Sequence, residues 1–323
     1  MDINIINKVL ASEYYLDEYK LEDLKFISDL VKIVLSVPQK LDVPKYKMPM
    51  NLKTSLYHAK KFLGELNEDY KKDLEDAINS GYAVFRVVDD LYEVSATLND
   101  QDNKYIEYNM TGYVFDIYSI VHELIHYTSL NVKNKTINWR LTTEAYAFVA
   151  EALLSKYLKS VPYTIPEIEL NDISNIIGIV EKTFMLDFEI ELMKKFLDKK
   201  NISMKDIVNI LKNKNKTYIE YAVLDLQSIQ DRYNQDKILE LNFSSYQTYI
   251  IGYLLATHIL SKINNDRSYI KEYINLINNS NNMTFVETLK KLDLEVIDED
   301  NVILSDNSIK VLKREYKKRV EAL

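Results

Sequence analysis

The chain has 323 residues, of which 47% are hydrophobic, enough to bury a sizeable core and to exclude wholesale disorder. Its net charge of −8 excludes the basic footprint of a nucleic-acid-binding protein. There is no cysteine, which rules out disulfides and thiolate metal sites and fits a reducing compartment.

Along the chain, the N-terminal "MDINIINKVLASEYYLDEYK" has no basic segment followed by an apolar one, so no signal peptide is read there. Residues 14–37 have helical spacing, with Leu21, Leu24, Ile27, Leu30, Val31 and Val34 on one stripe. Pro38, Pro44 and Pro49 mark a connector, and a second helical stretch over about 51–79 stops at "NSG". The pattern then changes: "YAVFRVV", "YEVSATL" and "KYIEYN" are rich in β-branched and aromatic residues and are separated by turn-forming runs. From about residue 113 helical spacing returns to the end, broken at "SVPYTIP", "KNKNKT" and "NNSNN". The most apolar run, "YIIGYLLATHIL", is too short to span a bilayer. The expectation is a soluble, cytoplasmic, mainly α protein without a membrane partner, carrying one small antiparallel β-sheet ahead of the residue-122 region. Nothing in the sequence specifies an oligomeric state.

The chemistry concentrates in "VHELIHYTSLNVKNKTINWRLTTEAYAFVAEALL", Val121 to Leu154. His122, Glu123 and His126 spell H-E-x-x-H; on a helix, residues four apart stack, so both imidazoles can meet one metal ion. Glu123, one step round, can reach a water bound to that metal. Ile117, Ile120, Val121 and Leu124 would anchor the helix in a core. A catalytic zinc site takes three protein ligands and leaves a position for water. Without cysteine the third ligand must be His, Asp or Glu, and Glu144, on the next helical stretch, is the best candidate. Glu151 lies seven residues on, on the same face, and is either an acceptor that orients a ligand imidazole or an ordinary ion-paired carboxylate. A di-iron bundle is excluded: "ELIH" reads E-x-x-H, but neither His58 nor His258 has a glutamate three residues before it. Those two histidines are read as core residues, and Trp139 as packing under the loop before the Glu144 helix.

The segment "YNMTGYVFDIYSIVHELIHY" resembles the catalytic region of the oligoendopeptidase F and thimet oligopeptidase family of zinc peptidases. In that family an Asn-x-Thr-Gly run and an aspartate precede the histidine motif, matched here by Asn109, Thr111, Gly112 and Asp116. An E-x6-E pattern on the next helix is matched by Glu144 and Glu151, and a Y-x5-G-Y segment by Tyr246, Gly252 and Tyr253. "FLGELNEDYKKDLEDAINSGYAVFRV" and "ETLKKLDLEVIDED" are similar to the family's flanking stretches. The resemblance covers about residues 50–323. Three positions depart from the family pattern. Ile125 stands where the family has glycine, Ser129 where it often has histidine, and "ILELNF" carries no histidine ahead of the tyrosines. Full-length members are roughly twice as long and carry a helical lobe.

The resemblance implies a zincin-like helical catalytic domain over residues 51–323, preceded by an N-terminal helical remnant at 1–50. It implies Zn2+ held by His122, His126 and Glu144, with Glu123 as general base and Asp116 and Glu151 as supporting carboxylates. Tyr253 or Tyr246 would donate to the oxyanion, with Tyr249 the next choice. The expected activity is hydrolysis of internal peptide bonds in a peptide or exposed protein segment. Strand "YEVSATL" could pair with an extended substrate, or be an ordinary internal strand. The alternative functions are a catalytically inactive binding module on the same fold and a purely structural helical protein.

Overall fold

The computed structural model describes residues 2–14, 21–37, 49–86, 96–100, 103–130, 137–161, 165–234 and 243–322. Pro38, Pro44, the start of "YEVSATL" and residues 131–136 lie outside them. In chain order the elements are α1 (Ile3–Tyr14), α2 (Leu21–Leu35), α3 (Leu52–Leu66), α4 (Glu68–Asn79), β1 (Ala83–Arg86), β2 (Ala96–Asp100) and β3 (Asn103–Asn109). There follow α5 (Phe115–Ser129), α6 (Ile137–Leu158), α7 (Ile165–Lys199), α8 (Met204–Leu211), α9 (Lys216–Asn234) and α10 (Phe243–Asn265). The chain closes with α11 (Ile270–Asn278), α12 (Phe285–Lys291), β4 (Val296–Asp298), β5 (Ile303–Leu304) and α13 (Asp306–Glu321). Among the described residues no helix is long and apolar enough to cross a membrane.

Two compact units share these elements, each discontinuous in sequence, whereas the sequence reading placed a single boundary at residue 50. The first gathers residues 1–39, 177–250 and 294–314; the second gathers 40–176, 251–293 and 315–323.

In the first unit α1 packs on α9. Helix α1 lies within the helical segment expected at 1–50, and Ile5, Ile6, Val9 and Leu10 form its buried stripe. Asn7 ties it to residue 202 with a reciprocal pair, donating to the Ile202 carbonyl (2.9 Å) and accepting from the Ile202 N–H (2.7 Å). Ser203 and Asp206 form a capping box that starts α8. Strands β4 and β5 form a second, two-stranded antiparallel sheet. At two and three residues these strands are too short to show a period in the sequence.

In the second unit Asn67 ends α3 and starts α4: its N–H reaches the Leu63 carbonyl, and its side chain accepts from the Asp69 N–H. The chain leaves α4 through Gly81, in the left-handed region at φ +77°, and enters β1. The expected antiparallel sheet is mixed. β3 is central, in the order β1-β3-β2, antiparallel to β2 but parallel to β1. β3 takes the centre because Ile106 and Tyr108 are its most apolar inward positions, exposed by only 1% and 4%.

Helix α5 lies against β3, α3, α4 and α6. Helix α6 begins at Ile137, so Trp139, expected under the loop before it, lies in its first turn. From Thr142 to Ser155 it is buried on every side, with Ala145, Ala147, Val149, Ala150 and Leu154 having no exposure. His58 and His258 are both buried. His58 Nδ1 lies 3.2 Å from the Tyr157 hydroxyl, and His258 Nε2 donates to the Leu292 carbonyl at 2.7 Å.

Candidate metal centre

The centre starts from a turn. Gly112 adopts φ +76°, which lets the chain reverse between β3 and α5, and Asp116 in the first turn of α5 grips that reversal. Its carboxylate accepts from the Tyr108 hydroxyl (2.6 Å), the Thr111 N–H and hydroxyl (both 2.8 Å) and the Gly112 N–H (2.9 Å). With no exposure, Asp116 fixes where α5 begins and how it is rotated. At the other end Lys104 from β3 donates to the Tyr127 carbonyl (2.6 Å) and lies 4.4 Å from the Tyr127 ring centroid. A cation at a helix C-terminus also suits the dipole.

Between these anchors α5 presents His122 and His126 to Glu144 of α6. Their Nε2 atoms are 2.9 Å apart, and Glu144 carboxylate oxygens lie 3.4 Å from His122 Nε2 and 3.5 Å from His126 Nε2. Three ligand atoms about 2.1 Å from one zinc ion at tetrahedral angles would stand about 3.4 Å from each other. All three are within 4.8 Å of one another, so the triangle is the size a single ion requires.

The far ring nitrogens settle the orientation. His122 Nδ1 is 2.6 Å from a Glu151 oxygen, and a carboxylate only accepts, so Nδ1 carries the proton. His126 Nδ1 lies 2.5 Å from Thr143 Oγ1 and, with Nε2 turned to the cluster, donates to it. Both Nε2 atoms therefore face each other and the Glu144 carboxylate, a group of side chains that could hold one metal ion. Glu151 is itself fixed, accepting from Asn171 (3.1 Å) and Asn175 (2.6 Å) of α7. Burial pulls the His122 pKa down, but the carboxylates of Glu144 and Glu151 outweigh it and hold the imidazole well above its ordinary value. Burial wins at His126, whose pKa is lowered.

Glu123 is buried on α5 between the two histidines in sequence. Ile125, at the family's glycine position, is a core residue with no exposure. Ser129 accepts from the Trp139 indole N–H (3.0 Å) and donates to the His126 carbonyl (3.1 Å), so it joins the ligand helix to the first turn of α6.

Gly252 of α10 lies directly on Glu144. A Cβ there would meet Glu144 Cβ at 2.5 Å and the Ala145 nitrogen at 2.9 Å, so only glycine permits this approach. Tyr253 is 5% exposed, its hydroxyl is hydrogen-bonded to Arg319 of α13, and its ring packs on Phe148 at 5.2 Å. Burial raises its pKa against the pull of Arg319. Tyr246 belongs to the first unit, where its hydroxyl donates to Asp225 at 2.9 Å. Tyr249 lies in that unit too, with Lys182 Nζ 4.5 Å from its ring centroid.

The sequence reading did not find Thr143, Asn171, Asn175, Asp172 or Arg319. Thr143, next to Glu144, was the one with a local signal.

No family model matches the chain, and no curated protein matches it in sequence. Solved structures do match. A candidate oligoendopeptidase F aligns over 100% of this chain and 59% of its own, at 11% identity and a TM-score of 0.59. A candidate oligoendopeptidase F from Bacillus anthracis aligns over 98% of this chain and 59% of its own, at 12% identity and TM-score 0.56. A candidate peptidase from Chlamydophila abortus aligns over 99% and 55%, at 14% identity and TM-score 0.54. This chain thus spans between 55 and 59% of the length of those chains. What they share with it is the fold, mainly α with two small sheets among the described residues.

Proposed function

We propose that this protein is a zinc metallopeptidase that hydrolyses internal bonds of oligopeptides or of an exposed protein segment. One observation carries the proposal: two imidazole Nε2 atoms and a carboxylate converge at metal-ligand spacing while Glu151 and Thr143 hold the far ring nitrogens. The fold shared with candidate oligoendopeptidases supports it, as does the run of residues from Asn109 to His126. The cytoplasm, suggested by the cysteine-free composition, is the setting proposed.

His122, His126 and Glu144 would hold the ion, and zinc when bound polarises a carbonyl and lowers the pKa of a water. Glu123 takes the proton of the attacking water and delivers it to the departing amine. The developing oxyanion needs a further donor, which we assign to Tyr253 or Tyr246. Tyr→Phe at the residue responsible lowers kcat about 100-fold with little change in KM, and at the other does not. An extended substrate would lie along β2, which pairs on one side with β3 and has no second strand partner among the described residues.

The test is cleavage of a peptide library followed by mass spectrometry, with Glu123→Gln as control. The variant is expected to keep its metal and lose essentially all turnover. A wild-type chain that binds zinc but cleaves nothing would favour the alternative, an inactive binding module on the same fold. The motive for that reading is the loss of the family's accessory histidines, at Ser129 and in "ILELNF" ahead of the tyrosines.

A further inference from the structure

We propose that Arg319, near the end of α13, is a positioning residue for the metal centre, acting through Asp172 and Tyr253. The proposal rests on the metal-binding reading above. Helix α7 brings three polar side chains to the wall behind His122. Asn171 and Asn175, four residues apart on one face, both donate to the same Glu151 oxygen. Asp172 sits beside them and is only 7% exposed. A carboxylate so buried needs a partner, and Arg319 Nη2 supplies it at 2.8 Å.

Two routes lead from Arg319 to the same imidazole. The polar one runs from Asp172 along one turn of α7 to Asn171 and Asn175, then through Glu151 to His122 Nδ1. The apolar one starts at the Tyr253 hydroxyl, which is hydrogen-bonded to Arg319. The Tyr253 ring meets Phe148 edge-on at 5.2 Å, and Phe148 meets His122 edge-on at 5.9 Å. A single guanidinium therefore fixes both the carboxylate that orients the ligand and the ring that packs on it. Its planar fork suits a carboxylate and a phenol together, which an ammonium would serve less well.

There is also a charge argument. Glu151 and Asp172 place two carboxylates in one buried wall, and Arg319, in contact with Asp172, is the stronger of the two cations, with Lys159, that act on it. Without it Asp172 must take up a proton or turn toward water. In either case the α7 turn that grips Glu151 is no longer pinned.

The experiment measures the zinc dissociation constant of the full chain by competition with a chromophoric chelator, well below the thermal transition. Arg319→Met is expected to bind zinc about 10-fold more weakly, the size seen when supports of metal-ligating histidines are removed. Arg319→Lys should recover part of that loss, and the double variant Arg319→Met/Asp172→Asn should bind more tightly than Arg319→Met alone. A merely structural role would lower the melting temperature and leave zinc affinity unmoved. A folded Arg319→Met chain with wild-type affinity would overturn the proposal. Should that variant not fold, Asp172→Asn carries the same test, with wild-type affinity again the overturning result. A wild-type chain that binds no zinc would sink both this proposal and the metallopeptidase reading, whereas equal binding by variant and wild type sinks this one alone.

Discussion

Single side chains decide how the two imidazoles stand. Glu151 and Thr143 hold one ring each, and they do so differently: one with a charge, the other with a hydroxyl. Glu151→Gln keeps the shape but gives up the ionic acceptor; we expect zinc affinity to fall about 10- to 100-fold, read by chelator competition. Thr143→Val removes the acceptor from His126 altogether, leaves Nδ1–H buried without a partner, and is expected to weaken binding by a similar factor. Such residues are hard to read in a sequence. The H-E-x-x-H spacing is set within one helix, so periodicity alone exposes it. Asn171 and Asn175 meet Glu151 from 20 and 24 residues away, and Asp172 and Arg319 are still farther apart along the chain. Asparagine, aspartate and arginine there look like any polar helix surface until the fold is known.

Helices set the distance at which the ligands face each other. The α10–α6 approach at Gly252 is so close that a methyl group has no room. Gly252→Ala is expected to cost about 1–3 kcal/mol in urea unfolding and to displace Glu144, with zinc binding weakened in the same variant. Asp116 sets the entry of α5 and satisfies donors from Tyr108, Thr111 and Gly112. Asp116→Ala leaves the buried Tyr108 hydroxyl unpaired and frees the turn at Thr111 and Gly112, a loss of about 1–3 kcal/mol by the same measurement. Both residues stood out in the sequence through a resemblance, and the structure supplies the physics: a carboxylate locking a positive-φ turn, and a glycine where two helices touch. The sheet order was not legible, since the parallel β1–β3 pairing joins strands that are not consecutive. Helix α1 was not drawn as a separate element within the helical 1–50 segment because its buried stripe is only four residues.

Across the whole chain, stability should follow both the metal and pH. In the proposed function, zinc would bind the folded centre and not the separated ligands of the unfolded chain. At a free concentration 100 times its dissociation constant it should therefore add about 2.7 kcal/mol, visible as a higher melting temperature that a chelator reverses. His258 is buried, and burial lowers its pKa below the value it has when unfolded. The unfolded chain then binds the extra proton first as pH falls. Stability from this residue is complete above about pH 6.5 and is lost as pH drops through the lowered folded value. Melting curves of wild type and His258→Gln from pH 7.5 to 5 test this: the wild type should lose its advantage on the acid side, and a constant difference would refute the linkage.

The chain has a single tryptophan, and its indole N–H is bonded to Ser129 at the end of the helix that carries both histidines. Five residues later in the same helix as Trp139 comes Glu144. One fluorophore thus sits astride the two elements that carry His122, His126 and Glu144, and it needs no dye, label or substrate. Its emission maximum and quenching by iodide, followed during a zinc titration, would report the closing of the centre in real time.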